Sequence, residues 1–231
     1  MAHCPESYCQ IDIDDAETGK RLTTGARSPQ DFFHSRLMVN ASGTRLLSAG
    51  WIWHPWNAVI YYEIAEALRD PTHLDNTANH APGSSDVCLA EEASACWQTT
   101  ERVLLGASSE EEDPQEERSA QIGEPRLHTC NIAVYDVPSS KYIRSVVLGE
   151  PPKIMMPTGN RHAISFHRHP KLVSLESGEV VARWEDLDTG KQVGSMISGA
   201  KLPPLAIDVQ HHRFAVAGPE NVGVVQIDLA E

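Results

Sequence analysis

The segment "VVARWEDLDTGK" (residues 180–191) runs from a β-rich stretch through acidic residues into a turn. It has a counterpart in "CQIDIDDAETGK" (residues 9–20). In both copies an Asp can bond its own downstream backbone, and the Gly of Thr-Gly-Lys supplies a positive φ at no steric cost. We predict that this turn is the hairpin between the third and fourth strands of a repeated unit.

Acidic residues at the ends of such β-rich runs recur along the chain, and we call them anchors. Further runs that end in an acidic residue are "AVIYYEIAEALRD" (58–70), "CNIAVYDVPSSK" (130–141) and "VGVVQIDLAE" (222–231). The anchors are Asp15, Glu63, Asp136, Asp186 and Asp228, which are 48, 73, 50 and 42 residues apart. Three of these intervals fall near the roughly 40–50 residues of a four-stranded propeller blade. The longest contains the polar segment "SSEEEDPQEERSAQ" (108–121), which we predict to be an acidic surface loop inserted into a blade.

Short apolar runs bounded by turn residues fill the space between anchors, which favours strands over helices. The predicted strands of two units are 35–41, 44–53 and 58–64, and 205–210, 213–218 and 222–229. Only 62–70 and 85–95 could hold a helical turn. We therefore predict an all-β protein, a β-propeller of four-stranded antiparallel blades with about four to five blades, and residues 1–231 as one propeller domain or a propeller fragment. A β-sandwich is the alternative.

These repeats resemble the WD40/YVTN-like and quinoprotein-like β-propellers of bacteria. The resemblance rests on "RLLSAGWIWHPWNAVIYYEI", "NIAVYDVPSSK", "ARWEDLDTGK" and "RFAVAGPENVGVVQIDL". It implies a propeller with loops on two broad faces. It does not imply a quinone, because the units lack the tryptophan docking pattern of quinoprotein repeats, and we expect no cofactor.

The two ends of the sequence look alike. "YCQIDID" (8–14) and "VGVVQIDL" (222–229) both read as third strands, with Ile11 and Ile13 pointing inward in the first. Two third strands do not complete one blade. The chain is therefore expected to be a fragment of a longer propeller, to be completed by partners, or to use one terminal strand differently. An isolated run of blades has two exposed edge strands, so we expect a protein partner or self-association through those edges.

The composition limits the classes of partner. A formal net charge of −13, from 19 Lys and Arg against 32 Asp and Glu, argues against nucleic acid or anionic membrane as partners. The start lacks the features of a signal peptide, and no apolar run is long enough to span a membrane. The five cysteines, Cys4, Cys9, Cys88, Cys96 and Cys130, do not form a disulfide framework, so we expect a cytoplasmic protein.

The most unusual local composition is "WIWHPW" (51–56), which holds three of the five tryptophans. Its candidate binding residues are Trp51, Trp53, His54 and Trp56. Aromatic side chains lead interface hot spots, so this cluster could bind a ligand or partner at a propeller rim. Packing between blades is the alternative.

Four histidines are candidate metal ligands: His162, His167, His169 and His212. His167 and His169 would share a face of a strand, although no linear metal-binding spacing is present. We find no catalytic motif. The sequence therefore favours a non-enzymatic scaffold for protein or ligand binding. The alternative is an enzyme, or a protein that binds a small ligand or metal, with its site at the central channel.

Overall fold

The computed structural model describes residues 1–52, 56–76, 94–107, 125, 127, 130–190 and 204–228. These residues form five antiparallel sheets and very little helix. The acidic segment 108–121 and most of the possible helical stretch 85–95 lie outside them.

The first two sheets contain five strands. A two-stranded N-terminal sheet consists of β1 (Ala2–His3) and β2 (Asp12–Ile13). Blade 1 consists of β3 (Phe32–Val39), β4 (Arg45–Ile52) and β5 (Trp56–Glu63).

The remaining sheets follow in chain order. Blade 2 consists of β6 (Ala95–Trp97), β7 (Arg102–Ala107), β8 (Asn131–Asp136) and β9 (Lys141–Val147). Blade 3 consists of β10 (Met155–Pro157), β11 (His162–Ser165), β12 (Lys171–Ser174) and β13 (Val180–Arg183). Blade 4 consists of β14 (Leu205–Asp208), β15 (Arg213–Ala217) and β16 (Val222–Gln226).

The chain has the fold predicted from its repeats, an all-β propeller architecture. Within every blade each strand pairs antiparallel with the next strand of the chain. Blades 2 and 3 have four strands, whereas blades 1 and 4 have three among the described residues. In the same part of the chain no strand pairing joins the first sheet to the last.

The core lies between neighbouring blades. Along β8, Ile132 and Val134 belong to a cluster shared with blade 3, while Ala133 and Tyr135 belong to one shared with blade 1. Successive side chains of a strand point to opposite faces, so a strand covered on both faces is apolar at every position. This explains the unbroken apolar run of "IAVY" (132–135).

The blades also share one orientation. The Gln98 side chain, after β6, donates to the carbonyl of Gly159, after β10, at 3.2 Å. Asn40, after β3, donates in the same way to the carbonyl of Thr100 at 3.0 Å. The first strands of blades 1–3 therefore end on the same side. We name this side the hairpin face, and the side where the first and third strands begin the start face.

The N-terminal sheet covers the outer face of blade 1. Ile11 and Ile13 are buried against Leu46 and Ile60 of that blade, so their predicted inward direction is confirmed. The expectation that 8–14 forms an open edge is wrong, because β1 pairs with one side of β2 and the backbone of Leu22 donates to the carbonyl of Ile13 on the other side at 2.8 Å. The Thr-Gly-Lys of 18–20 does form a tight turn, in which Gly19 has φ +68°.

The second copy of that turn has a different place from the one predicted. Residues 180–183 form β13, the fourth strand of blade 3, so the turn of 188–191 cannot join a third strand to a fourth. The backbone of Thr189 instead donates to the carbonyl of Arg168 at 2.8 Å. The segment 184–190, which we call the bridging segment, thus folds back over the start face of blade 3.

Among the described residues, helix is confined to the end of blade 1. Helix α1 (Ile64–Arg69) follows β5, as the sequence suggested, and a 3-10 helix (Pro71–Asp75) follows it. Pro71 opens this turn, and the Asp70 side chain accepts a hydrogen bond from the backbone of Thr72 at 3.0 Å. In the part of the chain that is described, no helix has the length and apolar character needed to cross a membrane.

Candidate functional site

Among the residues that the structure describes, the outer edge of blade 4 is open along β16. The backbone of Ile227 donates to the carbonyl of His212 at 2.9 Å, and Gly218 donates to the carbonyl of Asn221 at 2.8 Å. The odd-numbered residues of β16 therefore point their backbone N–H and C=O groups towards β15. Because backbone direction alternates along an antiparallel strand, the N–H and C=O groups of Val222, Val224 and Gln226 point to the open edge. No described residue pairs with them.

One face of the same strand is apolar and exposed. Val222 is 61% exposed and Val224 is 67% exposed. They lie opposite Ala217 and Ala215 of β15, so small apolar side chains continue across the sheet. The other face of the strand is covered, since a Cβ at Gly223 would lie 2.5 Å from Cδ2 of Leu187 in the bridging segment.

The edge of β16 carries none of the usual protections against strand pairing. Its sequence, "VGVVQ", contains no charged residue and no proline, and its register with β15 has no bulge. The fourth strands of the complete blades differ, because β9 carries Lys141 and Arg144 and β13 ends in Arg183. An uncharged, regular edge is a template for pairing with another strand.

Acidic side chains flank this edge. Glu220 precedes β16 and Asp228 follows it, and both are exposed with no ion pair among the described residues. A cleft of about 400 Å³ opens beside the start-face end of the strand, with Asp186, Asp188 and Asn221 in its lining. Carboxylates therefore lie near both ends of β16, and Arg213, which is opposite Gln226 on β15, is already paired with Asp208 at 2.8 Å.

Two of the aromatic candidates, Trp51 and Trp56, lie at the start face of blade 1. Trp51 is half-exposed and stacks on Phe33, with ring centroids 4.0 Å apart and planes at 12°. Trp56 is the first residue of β5 and pairs with Ile52. Trp53 and His54 lie outside the described residues. Trp51 is on the side of the strand that Leu47 and Ala49 bury against blade 2, which is consistent with the packing alternative.

The four candidate metal ligands do not lie together. His162 begins β11 and His167 follows its end, so five residues of extended chain, roughly 16 Å, separate them. His212 lies in the exposed turn between β14 and β15, at φ +47°. Nδ1 of His169 lies 3.3 Å from the carbonyl of Leu187 and so helps to hold the bridging segment. Among the described residues no group of three or more potential ligands occurs.

His167 is the most buried of the four, with 5% of its surface exposed and Nδ1 without a hydrogen-bond partner. Burial lowers its pKa. The neighbouring Lys171 is 2% exposed and donates to Glu150 at 2.6 Å and to the carbonyl of His167 at 2.7 Å. Burial also lowers the pKa of Lys171, although the hydrogen bond to Glu150 opposes that shift. The ion pair holds the loop before β10 against the start of β12.

A buried polar network in the N-terminal region is not evident from the sequence. Arg27 donates to Asp75 through Nη2 at 2.6 Å and through Nε at 2.9 Å, and to the carbonyl of Ile11 at 3.1 Å. Asp12 is 1% exposed and accepts from Arg21 at 2.7 Å. Strand alternation predicts that Asp12 faces solvent, but this network encloses it.

The chain was compared with known proteins. No family model matches the sequence, and no curated protein matches it. A solved structure of Kuenenia stuttgartiensis hydrazine synthase is similar, with a TM-score of 0.53 and 10% identity over 94% of this chain. The Myceliophteria thermophila Cps50 (Swd1) beta-propeller domain has a TM-score of 0.43 and 9% identity over 86% of this chain.

These similarities concern the fold alone. Identity near 10% carries no information about ligands or activity, and the second TM-score is too low to support a conclusion. The chain spans 64% of the length of the first structure and 52% of the second.

Proposed function

We propose that this chain is a non-enzymatic scaffold that binds a protein partner by accepting an extended segment at the open edge of β16. The observation that carries the proposal is that edge, which is uncharged and regular, with exposed Val222 and Val224 beside backbone groups that no described residue pairs with. Addition of a strand to a sheet edge is a general mode of peptide recognition. The described residues offer no comparable observation in favour of an enzyme site at the central channel.

The complete blades show how the added segment would lie. In blade 2 the fourth strand, β9, runs antiparallel along β8, from Asp136 opposite Lys141 to Asn131 opposite Val147. An incoming segment of about the same length would occupy the equivalent position beside β16. Its backbone would bond to Val222, Val224 and Gln226, and each such bond contributes about 0.5–1.5 kcal/mol. Apolar side chains on the incoming strand would cover the exposed valines.

The chain itself supplies a probe for this site. A peptide with the sequence of β9, "KYIRSVV", acetylated and amidated at its ends, has the length and apolar content of a fourth strand. On addition of this peptide we expect slower hydrogen exchange at the amides of Val222, Val224 and Gln226. Amide exchange followed by NMR measures each of these groups separately.

Two substitutions at one position test the mode of binding. Val224→Pro removes an N–H that faces the open edge and breaks no bond to β15, so the blade is expected to fold and the peptide to lose its protection. Val224→Thr keeps the N–H and the β-branched shape, so binding is expected to persist. If the peptide protects no amide of β16, or protects Val224→Pro as well as wild type, strand addition is refuted.

A further inference from the structure

We infer that the segment that pairs with β16 is uncharged in its centre and basic at its ends, and that a second copy of this chain is the poorer occupant. The inference rests on the proposed strand addition and names the chemistry of its partner. The inference follows from the positions of the acidic residues around the edge of β16.

The first step is the distribution of charge along the strand. All five residues of β16 are uncharged. Glu220 lies two residues before the strand, and Asp228 lies two residues after it. Neither forms an ion pair among the described residues. Asp186 and Asp188, in the adjacent cleft, add negative charge at the start-face end of β16. A strand with a basic residue near each end would meet a carboxylate at each end.

Blade 2 contains such an arrangement within the chain. Asp136 is the last residue of the third strand, β8, and lies directly opposite Lys141, the first residue of the fourth strand. By register with the second strand, Gln226, opposite Arg213, has the place that Asp136, opposite Arg102, has in blade 2, and Asp228 lies two residues further along. A Lys or Arg about two residues before the start of an added antiparallel strand would approach Asp228, whereas Lys141 lies directly opposite Asp136 within the strand pair.

Pairing between two copies of β16 lacks this complementarity. Antiparallel pairing would bring Glu220 of each copy towards Asp228 of the other, and parallel pairing would bring each acid towards its own equivalent. Carboxylates that approach within a Debye length, about 10 Å at 0.1 M salt, repel one another. The net charge of −13 adds to this repulsion. A second copy is therefore a poorer occupant than a basic segment.

The experiment compares three peptides with capped ends by fluorescence anisotropy at low ionic strength. They are "KYIRSVV" with Arg144 replaced by Ser, which is basic only at its start, the same peptide with one more lysine at its C-terminus, and a version in which Lys141 is also replaced by Glu. We expect the extended peptide to bind tightest and the glutamate version weakest. The extremes should differ roughly fivefold or more, as a few exposed ion pairs would produce. The difference should shrink in 0.5 M salt.

Variants of the protein identify the carboxylates involved. The double variant Glu220→Gln, Asp228→Asn is expected to remove most of the difference between peptides while it keeps the protection of the β16 amides. Glu101→Gln is the matched control, because Glu101 is an exposed acid in the turn between β6 and β7 of blade 2. It is expected to leave the ranking of the peptides unchanged.

The outcomes separate the two proposals. If all three peptides bind equally well and Val224→Pro abolishes each complex, strand addition stands and the basic partner is refuted. If no peptide protects β16, strand addition itself is refuted. Sedimentation of the protein alone decides between occupants, since a dimer that Val224→Pro dissociates would show that a second copy takes the edge.

Discussion

His34 is a buried imidazole on β3, with 8% of its surface exposed and Nδ1 2.7 Å from Oγ of Ser48. Burial lowers its pKa to about 4, against an ordinary value of 6.5. The unfolded chain therefore takes up this proton at a higher pH than the folded one. The free energy of unfolding must fall as pH drops below 6.5, and the loss levels off near pH 4.

The expected loss from this one residue between pH 7 and pH 5 is about 2 kcal/mol. Chemical denaturation at both pH values measures it, with His34→Asn to remove the titrating group and keep a hydrogen-bonding side chain. The variant should lose less stability than wild type over this interval. His212→Asn, at an exposed turn, should behave as wild type does. An identical pH response in all three proteins would show that His34 titrates normally.

At the scale of elements, the N-terminal sheet is joined to blade 1 by a polar contact as well as by apolar packing. The Arg27 side chain is 5% exposed and binds Asp75 of the 3-10 helix. Arg27→Ala would leave the Asp75 carboxylate buried without its main cation, and breaking a buried pair in this way costs about 3–5 kcal/mol. Thermal and urea unfolding should show this loss.

Arg69→Ala is the matched control for that prediction. Arg69 also pairs with an acid, Glu66, but its side chain is 70% exposed. Exposed pairs contribute at most about 1 kcal/mol, so the control should unfold nearly as wild type does. Equal losses in the two variants would mean that the buried network does not hold the N-terminal sheet in place.

Elements with a strong local pattern could be predicted from the sequence, whereas contacts across long separations could not. The strands of blades 1 and 4 are visible because apolar runs and turn residues alternate along the chain. The role of 180–191 was predicted wrongly, because its Thr-Gly-Lys resembles a hairpin turn and its pairing with Arg168 leaves no local signal. Arg27 and Asp75 are 48 residues apart, so nothing in the pattern connects them.

The candidate site shows the same division. The apolar run of 222–229 could be predicted as an edge strand, and Glu220 and Asp228 can be read directly from the sequence. Two further facts needed the structure. One is that Val222 and Val224 share the exposed face while Leu187 covers the other. The other is that 8–14, which has a similar sequence, is already paired by β1.

At the scale of the whole molecule, stability depends on contacts between successive blades. One apolar cluster joins blades 1 and 2, a second joins blades 2 and 3, and a third joins blades 3 and 4. A chain built from neighbouring repeats tolerates changes in its connections better than changes in these shared cores. The connection between β7 and β8, which carries the acidic segment 108–121, allows a direct test.

Ala107 ends β7 directly opposite Asn131, the first residue of β8, so a short connection can join the two strands. We propose that 108–121 is an insertion that the fold does not need, because its many like charges repel one another and have little apolar surface to bury. Replacement of 108–121 by a short Gly-Ser linker should shift the midpoint of thermal unfolding by no more than about 3 °C.

Leu127→Ala, in the same connection, is the contrasting variant. Leu127 is 5% exposed and belongs to the core between blades 1 and 2, so its truncation should cost about 2–5 kcal/mol. A linker variant that loses as much stability as Leu127→Ala would show that the acidic segment packs against the propeller.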